Sequence, residues 1–280
     1  MRYLEDDFSW YDGSTDRGAF FKIIMPNYNN SEWLERSIGS ILEQTFTDYH
    51  FVFVDDMSTD DSLEKARRLT RKLDNCLILQ NTHKRWNGGT RNAGLEASGK
   101  SKYTLFLDSD DWFTSPDVLK ELHDFIVERG SPDCVRLPYE IASGTAKSFP
   151  VMLNDATPEA LVGSIFVACW TKCIKSDMVV KFPENTLMED VVQHIKQSDK
   201  LNTIEPFGKP VVVYNRNNTN SCSSEQNQDL QHGKWQSSMF RYMADLLDLE
   251  LAHDYSIKQR DWRASICLEN IKKGVYSQSV

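Results

Sequence analysis

Short apolar segments alternate with amphipathic ones along the first half of the chain. The apolar segments are Phe20–Met25, Phe51–Val54, Cys76–Leu79, Tyr103–Leu107 and Cys134–Leu137. Such short runs, bounded by polar residues, are typical of buried strands. Between them apolar residues recur at helical spacing, for example at Leu119, Leu122 and Ile126. Because strands that alternate with helices form parallel sheets, the pattern predicts an α/β fold with a mostly parallel sheet flanked by helices.

Polar residues suited to chemistry follow three of the predicted strands. Pro26–Asn29 follows the first strand, and Pro26 is expected to end it because proline cannot pair in a central strand. Asp55 and Asp56 follow the second strand, and Asp108–Asp111 follows the fourth. The carboxyl ends of parallel strands meet at one edge of the sheet, where ligands bind. We therefore expect these groups to lie close together.

The acidic stretch after the fourth strand is a candidate metal site. Asp108 and Asp110 point to the same side of an extended chain. Two hard oxygen donors side by side suit Mg²⁺ or Mn²⁺, and such an ion usually comes with a phosphate attached to it. Taken alone, the stretch could equally be a solvated turn at the start of a helix, because short motifs recur by chance.

Composition narrows the class of protein. The chain has 280 residues, 40% of them hydrophobic and 26% charged, which indicates a globular protein with a substantial core. A net charge of -9 argues against non-specific binding to the phosphate backbone of nucleic acids. No apolar run reaches membrane-helix length, and the N-terminus lacks a basic-then-apolar signal. Cys76, Cys134 and Cys169 lie in apolar runs and no pair has C-x-x-C spacing, so reduced thiols and a cytoplasmic location are expected.

The same patterns divide the chain into three parts. Residues 1–18 are polar and acidic and predict an N-terminal arm laid over the domain. Residues 19–225 hold the α/β pattern. Residues 226–280 predict a C-terminal helical extension, because apolar residues again follow helical spacing there.

Four motifs, in this order, resemble glycosyltransferase family 2. They are Ile23–Asn29, Val54–Asp60, Asn87–Gly94 and Phe106–Asp111. The resemblance covers about residues 20–220 and implies the GT-A fold, a Rossmann-like sheet that binds a nucleotide sugar. It also implies inverting transfer of the sugar. Met57 departs from the family pattern, which usually has glycine there, and the region after about Gln226 matches nothing recognisable.

The resemblance also implies roles on the donor side. Asp55 or Asp56 would hydrogen-bond the nucleotide base, commonly uracil. Pro26 and Tyr28 would pack in the same pocket, and Arg216 would face the diphosphate. Further donor contacts are expected at Asn29, Arg91, Asp108 and Ser109.

On the reaction side, the resemblance makes Asp108 and Asp110 the metal-binding D-x-D pair, with Mn²⁺ or Mg²⁺ as the cofactor. Asp190, which follows Glu189 at the start of a predicted helix, would be the catalytic base. These roles agree with the chemistry, since a divalent ion stabilises a diphosphate leaving group. A carboxylate on the opposite side of the sugar can take the acceptor proton. A glycan or glycolipid is the expected acceptor.

Several alternatives stay open at the level of sequence. Asp55 and Asp56 could merely cap the helix beginning near Asp60, and Asp190 could be an ordinary helix-start carboxylate. A haloacid-dehalogenase-type phosphohydrolase also has an apolar strand ending in D-x-D, but that strand normally comes early. A sugar-nucleotide pyrophosphorylase would want a glycine-rich basic loop after the first strand. A non-catalytic nucleotide- or glycan-binding module and glycosylation of a modified DNA base complete the alternatives, and the net charge of -9 disfavours the last.

Overall fold

The computed structural model describes a defined part of the chain. The described residues are 18–83, 85–97, 99–144, 149–153, 156–157, 161, 168–184 and 189–221. The predicted arm lies outside these ranges except for Gly18, and the predicted C-terminal extension lies outside them entirely. The predicted boundaries of these segments therefore stay predictions.

Strands and helices alternate as the apolar pattern predicts. The strands are β1 Ala19–Asn27, β2 Tyr49–Asp55, β3 Cys76–Gln80, β4 Ser101–Phe106, β5 Trp112–Phe113, β6 Cys134–Arg136, β7 Tyr139–Ala142, β8 Phe149–Val151, β9 Lys172–Lys175, β10 Ile204–Pro206 and β11 Val212–Asn215. The α-helices are α1 Leu34–Leu42, α2 Ser62–Thr70, α3 Trp86–Glu96, α4 Val118–Glu128 and α5 Glu189–Ser198. Short 3-10 turns at Cys169–Thr171 and Ser176–Met178 flank β9.

The strands form two sheets. The larger has seven strands in the order β10-β6-β9-β4-β1-β2-β3, and the smaller has the order β5-β11-β7-β8. In the larger sheet β9 runs antiparallel to both of its neighbours, while the other pairs are parallel. This confirms the mostly parallel α/β fold. Because β9 is reversed, its first residue, Lys172, lies at the edge where the parallel strands end.

Strand β1 is the centre of the core. All of its residues are buried, and it pairs with β2 on one side and β4 on the other. Helix α3 packs closely on it, since a Cβ added at Gly94 would collide with the Ile24 side chain. Glycine at this position is therefore a packing requirement, and it lets α3 approach the sheet.

The prediction that Pro26 ends the first strand is wrong, and the strand runs two residues beyond Met25. β1 continues to Asn27, and Pro26 aligns with Val54 of β2. Successive residues of β1 form their backbone hydrogen bonds in turn with the β4 side and with the β2 side. The Ile24 carbonyl accepts from the Leu107 N–H after β4, and the Asn27 carbonyl accepts from the Asp56 N–H after β2. Pro26 therefore faces the β4 side, where pairing stops at Ile24 and a missing N–H breaks no ladder bond.

Within the described ranges, no helix combines the length and the apolar character that crossing a bilayer requires.

Candidate active site

Asp55, the last residue of β2, ties three strand ends together. Its carboxylate is fully buried. It accepts hydrogen bonds from Asn27 Nδ2 at 3.0 Å, from the Ser58 backbone N–H at 2.9 Å and from the Ser58 hydroxyl at 2.5 Å. Gln80 Nε2, at the end of β3, lies 3.4 Å away. Since donors from its own chain surround it on both oxygens, Asp55 shapes the loop rather than facing solvent.

Asp56 caps a helix, but not the helix that the sequence suggested. Its carboxylate accepts hydrogen bonds from the backbone N–H groups of Arg85 at 2.8 Å and Trp86 at 2.9 Å, and from Asn81 Nδ2 at 2.8 Å. These two backbone groups open α3, whereas the capping alternative concerned α2. The negative carboxylate lies at the positive end of α3, where it is stabilising. Asp56 is thus a buried link between the β2 end and α3.

Two residues beside these carboxylates adopt left-handed backbone conformations. Asn29 has φ of 51° and its side-chain oxygen accepts from the Thr59 backbone N–H at 2.7 Å. Met57 has φ of 62°, so it occupies a conformation that favours glycine, the residue usual here in the resembled family. Met57 and Tyr28 are both largely exposed, while Pro26 is buried. Tyr28 and Met57 therefore offer apolar surface at the loop ends, which suits packing against a base.

The candidate metal pair lies after β4. Asp108 is partly exposed, and Arg91 Nη2 donates to its Oδ1 at 2.8 Å. Asp110 accepts from Asn218 Nδ2 at 2.7 Å. Burial raises the pKa of Asp110 to about 6, and the neighbouring Asp108 charge acts in the same direction. Asp108 and Asp110 thus offer neighbouring carboxylate oxygens, a donor set that suits a divalent cation.

Asn218 was missed by sequence reasoning. It follows β11, and its buried amide donates to Asn30 Oδ1 at 3.0 Å as well as to Asp110. Asn30 in turn donates to the Ser109 hydroxyl at 2.9 Å. These bonds join the loops after β1, β4 and β11 around the metal pair. The only available signal was a polar, asparagine-rich stretch after a predicted strand, which is not specific.

Asp111 completes the acidic loop from inside the protein. Its Oδ1 accepts from the Asn215 backbone N–H at 2.8 Å, while its buried Oδ2 has no hydrogen-bond partner among the described residues. Burial, reinforced by Asp110 and Asp108, raises the pKa of Asp111 well above its ordinary value. Asp111 therefore anchors the end of β11, next to the stretch that carries Asn218.

Arg91 connects the metal pair to helix α5. The guanidinium is buried, and it donates to Asp108 through Nη2 and to Glu189 through Nη1. Burial alone would lower the pKa of Arg91, but Cys169, Asp108 and Glu189 outweigh it and the pKa is raised. A single side chain thus spans both halves of the candidate site. Its described bonds go to protein carboxylates, and its role in donor binding stays a prediction.

The first turn of α5 is fitted tightly against α3. A Cβ added at Gly88 would collide with the Pro183 carbonyl oxygen and press on Glu189. Asn92 and Phe182 exchange two hydrogen bonds, from Asn92 Nδ2 to the Phe182 carbonyl at 2.9 Å and from the Phe182 N–H to Asn92 Oδ1 at 2.8 Å. The Asn87–Gly94 motif therefore serves to bring α5 close to β4.

Glu189 and Asp190 open α5 as the sequence predicts, but they differ in environment. Glu189 is buried, and burial, reinforced by the Asp190 charge, raises its pKa to about 7 despite the bond to Arg91. Asp190 is half-buried and next to it. Arg216, also a predicted donor contact, has an exposed side chain in the turn after β11. Asp190 is thus the more accessible of the two carboxylates.

Among the described residues, no three His, Cys, Asp or Glu side chains converge as a self-sufficient metal-binding group. This fits a cation that takes its remaining ligands from a diphosphate and water, as Mg²⁺ commonly does. Asp108 and Asp110 as the protein ligands of such an ion stay a prediction, which the chemistry of their carboxylates fits.

The parallel-rich sheet, with the acidic pair at the end of β4 and the carboxylate-bearing helix beside it, agrees with the GT-A fold. Residues 22–150 match the family model described as glycosyl transferase family 2. The match covers a little under half of the chain, so it is a similarity to this family over that segment.

Curated relatives match over part of their length. The poly(ribitol-phosphate) beta-N-acetylglucosaminyltransferase TarP of Staphylococcus aureus strain N315 is 32% identical over 154 residues, which are 52% of this chain and 45% of TarP. TarS of strain MW2, with the same described activity, is 32% identical over 172 residues, 59% of this chain and 30% of TarS. The chain thus spans less than half the length of these relatives.

Solved structures confirm the fold. Residues 1–349 of S. aureus TarS in complex with UDP-GlcNAc superpose with a TM-score of 0.66 and 24% identity, over 84% of this chain and 69% of that one. The mannosyltransferase PcManGT of Pyrobaculum calidifontis, in complex with GDP-Man and Mn²⁺, has a TM-score of 0.61 and 14% identity over 95% and 78% of the two chains. At these identities the likeness shows the fold alone.

Proposed function

We propose that the protein transfers a sugar, with inversion, from a nucleoside diphosphate sugar to an acceptor hydroxyl. The donor is a UDP-sugar, and Mn²⁺ or Mg²⁺ is the cofactor. One observation carries the proposal. Arg91 bonds both Asp108, at the metal pair, and Glu189, at the start of α5, so the donor half and the base half lie within the span of one guanidinium.

On the donor side, the loops after β1 and β2 would receive the nucleotide. Tyr28 is exposed beside the buried Asp56 carboxylate, and an aromatic side chain there can pack on a base. The uridine preference is supported by the TarS complex with UDP-GlcNAc and by WfaP of Escherichia coli, whose name gives UDP-Glc as the donor. Asp108 and Asp110 would hold the divalent ion, whose contribution is to neutralise charge on the diphosphate leaving group.

On the acceptor side, Asp190 would be the base. It opens α5 beside the bridge from Arg91 to Glu189, and it is more accessible than Glu189. A carboxylate there can accept the proton of the acceptor hydroxyl as that oxygen attacks the anomeric carbon, while the nucleoside diphosphate leaves from the opposite face. A single displacement of this kind inverts the anomeric centre.

A glycan, a glycolipid or a polyol-phosphate polymer is the proposed acceptor class. Support comes from relatives described as poly(ribitol-phosphate) glycosyltransferases and from WfaP of Escherichia coli, described as a glucosyltransferase acting on a GlcNAc-diphosphoundecaprenol. WfaP is 28% identical over 38% of this chain. The net charge of -9 continues to disfavour a DNA acceptor.

The test is acceptor-dependent release of nucleoside diphosphate from a panel of UDP- and GDP-sugars with Mn²⁺. Asp190→Asn keeps the shape of the side chain and removes its basicity, so kcat should fall about 10²–10⁴-fold. The dissociation constant for UDP should stay nearly unchanged, because a base acts on the acceptor proton. Glu189→Gln, the same change one residue earlier, is the matched control and should be much milder.

Near-native turnover by Asp190→Asn would remove Asp190 from the mechanism. Absence of transfer from every sugar nucleotide, together with retained UDP binding, would instead favour a non-catalytic nucleotide-binding module.

A further inference from the structure

A buried basic pair lies behind the proposed base, and the reaction as described does not use it. Lys172, the first residue of β9, is 1% exposed, and His194, on α5, is completely buried. Lys172 Nζ lies 2.9 Å from His194 Nδ1, and His194 Nε2 lies 2.7 Å from the Leu161 carbonyl oxygen. Lys172 also donates to the Ala168 carbonyl at 3.2 Å.

These partners fix the protonation of the histidine ring. A carbonyl oxygen only accepts, so His194 Nε2 carries the proton that is donated to Leu161. His194 Nδ1 then accepts from the Lys172 ammonium. Burial lowers the pKa of His194 well below its ordinary value, and the Lys172 and Arg136 charges act in the same direction. The imidazole is therefore neutral, with one tautomer.

Burying such a pair costs desolvation free energy, so it contributes little to the stability of the core. Burial lowers the pKa of Lys172 to about 7, which means that its ammonium is poorly solvated. Apolar residues of similar volume often replace buried polar and ionic groups with no loss of stability. The pair is therefore better explained by the geometry that it imposes than by the stability that it adds.

The geometry concerns Asp190. Residues four apart on a helix lie on the same face, so His194 is one turn beyond Asp190. The Asp190 charge also opposes the lowering of the Lys172 pKa, so the two groups are close enough to interact. While Arg91 holds Glu189 on the α3 side, Lys172 holds the next turn from β9. Two buried basic side chains, Arg91 on α3 and Lys172 on β9, thus contact the first two turns of α5.

We propose that Lys172 and His194 are positioning residues, and that the hydrogen bond between them orients α5 so that the Asp190 carboxylate meets the acceptor hydroxyl. The inference rests on the proposed function, in which Asp190 is the base. A misplacement of about 1 Å in a reacting group can cost on the order of 10²-fold in rate. The pair would therefore act on kcat and not on binding of the nucleotide.

The test compares Lys172→Met, His194→Leu and the double variant in the full chain. Lys172→Met takes the donor from His194 Nδ1, and His194→Leu takes a partner from both Lys172 Nζ and the Leu161 carbonyl, so Tm and kcat should both fall. The double variant replaces the pair by apolar side chains and should regain part of the lost Tm. Its kcat should nevertheless stay roughly 10- to 100-fold low, while the dissociation constant for UDP with Mn²⁺, measured by calorimetry, stays at the wild-type value.

Lys175→Met is the matched control, because Lys175 lies on the same strand but pairs with Asp133 at 2.8 Å, away from α5. Its kcat should remain at the wild-type level. A double variant whose kcat recovers together with its Tm would overturn the positioning role and leave a structural one. Asp190→Asn, measured in parallel, tests the base role of Asp190 separately from the positioning role of Lys172 and His194. If that variant keeps its turnover, the base assignment fails, and this inference fails with it.

Discussion

The structure changes the expected effect of substituting Asp56. The resemblance alone implies that Asp56→Ala weakens nucleotide binding in a folded protein. In the structure the carboxylate holds the Arg85 and Trp86 N–H groups and the Asn81 amide. Removing it would take this acceptor from the two N–H groups at the start of α3, while the Asn81 amide would keep its bond to the Thr90 hydroxyl.

The magnitude follows from those contacts. Leaving a buried donor unpaired costs about 1–3 kcal/mol, and a carboxylate at a helix N-terminus contributes up to about 2 kcal/mol more. Because such terms are not additive, Asp56→Ala should lower the free energy of unfolding by roughly 3–6 kcal/mol. Each kcal/mol shifts Tm by about 2–4 °C in a domain of this size, so the fall should be on the order of 10 °C or more.

The assay is thermal unfolding followed by circular dichroism, with UDP binding measured well below the lowered Tm. Asp48→Ala is the matched control, since Asp48 is an exposed carboxylate just before β2 and its loss should change stability by no more than about 0.5 kcal/mol. A wild-type Tm for Asp56→Ala, with UDP binding lost, would refute the capping role and make Asp56 a dedicated base contact. A lowered Tm with UDP affinity retained at low temperature would place base recognition on other groups.

Two further predictions follow. Asp110→Asn should weaken Mn²⁺-dependent UDP binding in calorimetry while leaving Tm unchanged or higher, because it removes a buried carboxylate whose charge is opposed by Asp108. UDP binding that is the same in wild type and variant, with or without a chelator, would exclude Asp110 as a metal ligand. Gly94→Ala should cost about 1–3 kcal/mol in urea unfolding, because the new methyl group meets Ile24. Gly39→Ala on α1 is its control, because a Cβ added at Gly39 meets open space, and this substitution should be neutral or stabilising. An equal loss of stability at both sites would refute the packing argument.

How far the sequence predicts this structure depends on the range of the interaction. The strands and the gathering of acidic residues at one sheet edge follow from local apolar periodicity and from the geometry of parallel strands. The same reasoning could not tell Asp55 from Asp56, because their partners, Gln80 and Arg85, come from segments well along the chain. Both carboxylates look alike in sequence. Only the tertiary contacts show that Asp55 bonds the loop after β2 and that Asp56 bonds the start of α3.

The residues that sequence reasoning missed share a second cause. Lysine is rarely fully buried and histidine is intermediate, so a pattern of apolar positions gives no reason to bury Lys172 and His194. Each becomes intelligible only through the other, 22 positions apart. Asn218 is similar, since its amide matters because Asp110 lies against it 108 positions away.

Arg91 connects the candidate metal pair to the start of α5, which carries the proposed base. One guanidinium bonds a carboxylate of the metal pair and a carboxylate next to the proposed base. A change in the charge at Asp108, as when a cation binds there, would alter the pull on Arg91 and therefore on Glu189. The raised pKa of Glu189 means that its ionised form depends on that guanidinium. In the proposed mechanism, donor and metal binding would therefore reach the start of α5 through the two ion pairs of Arg91.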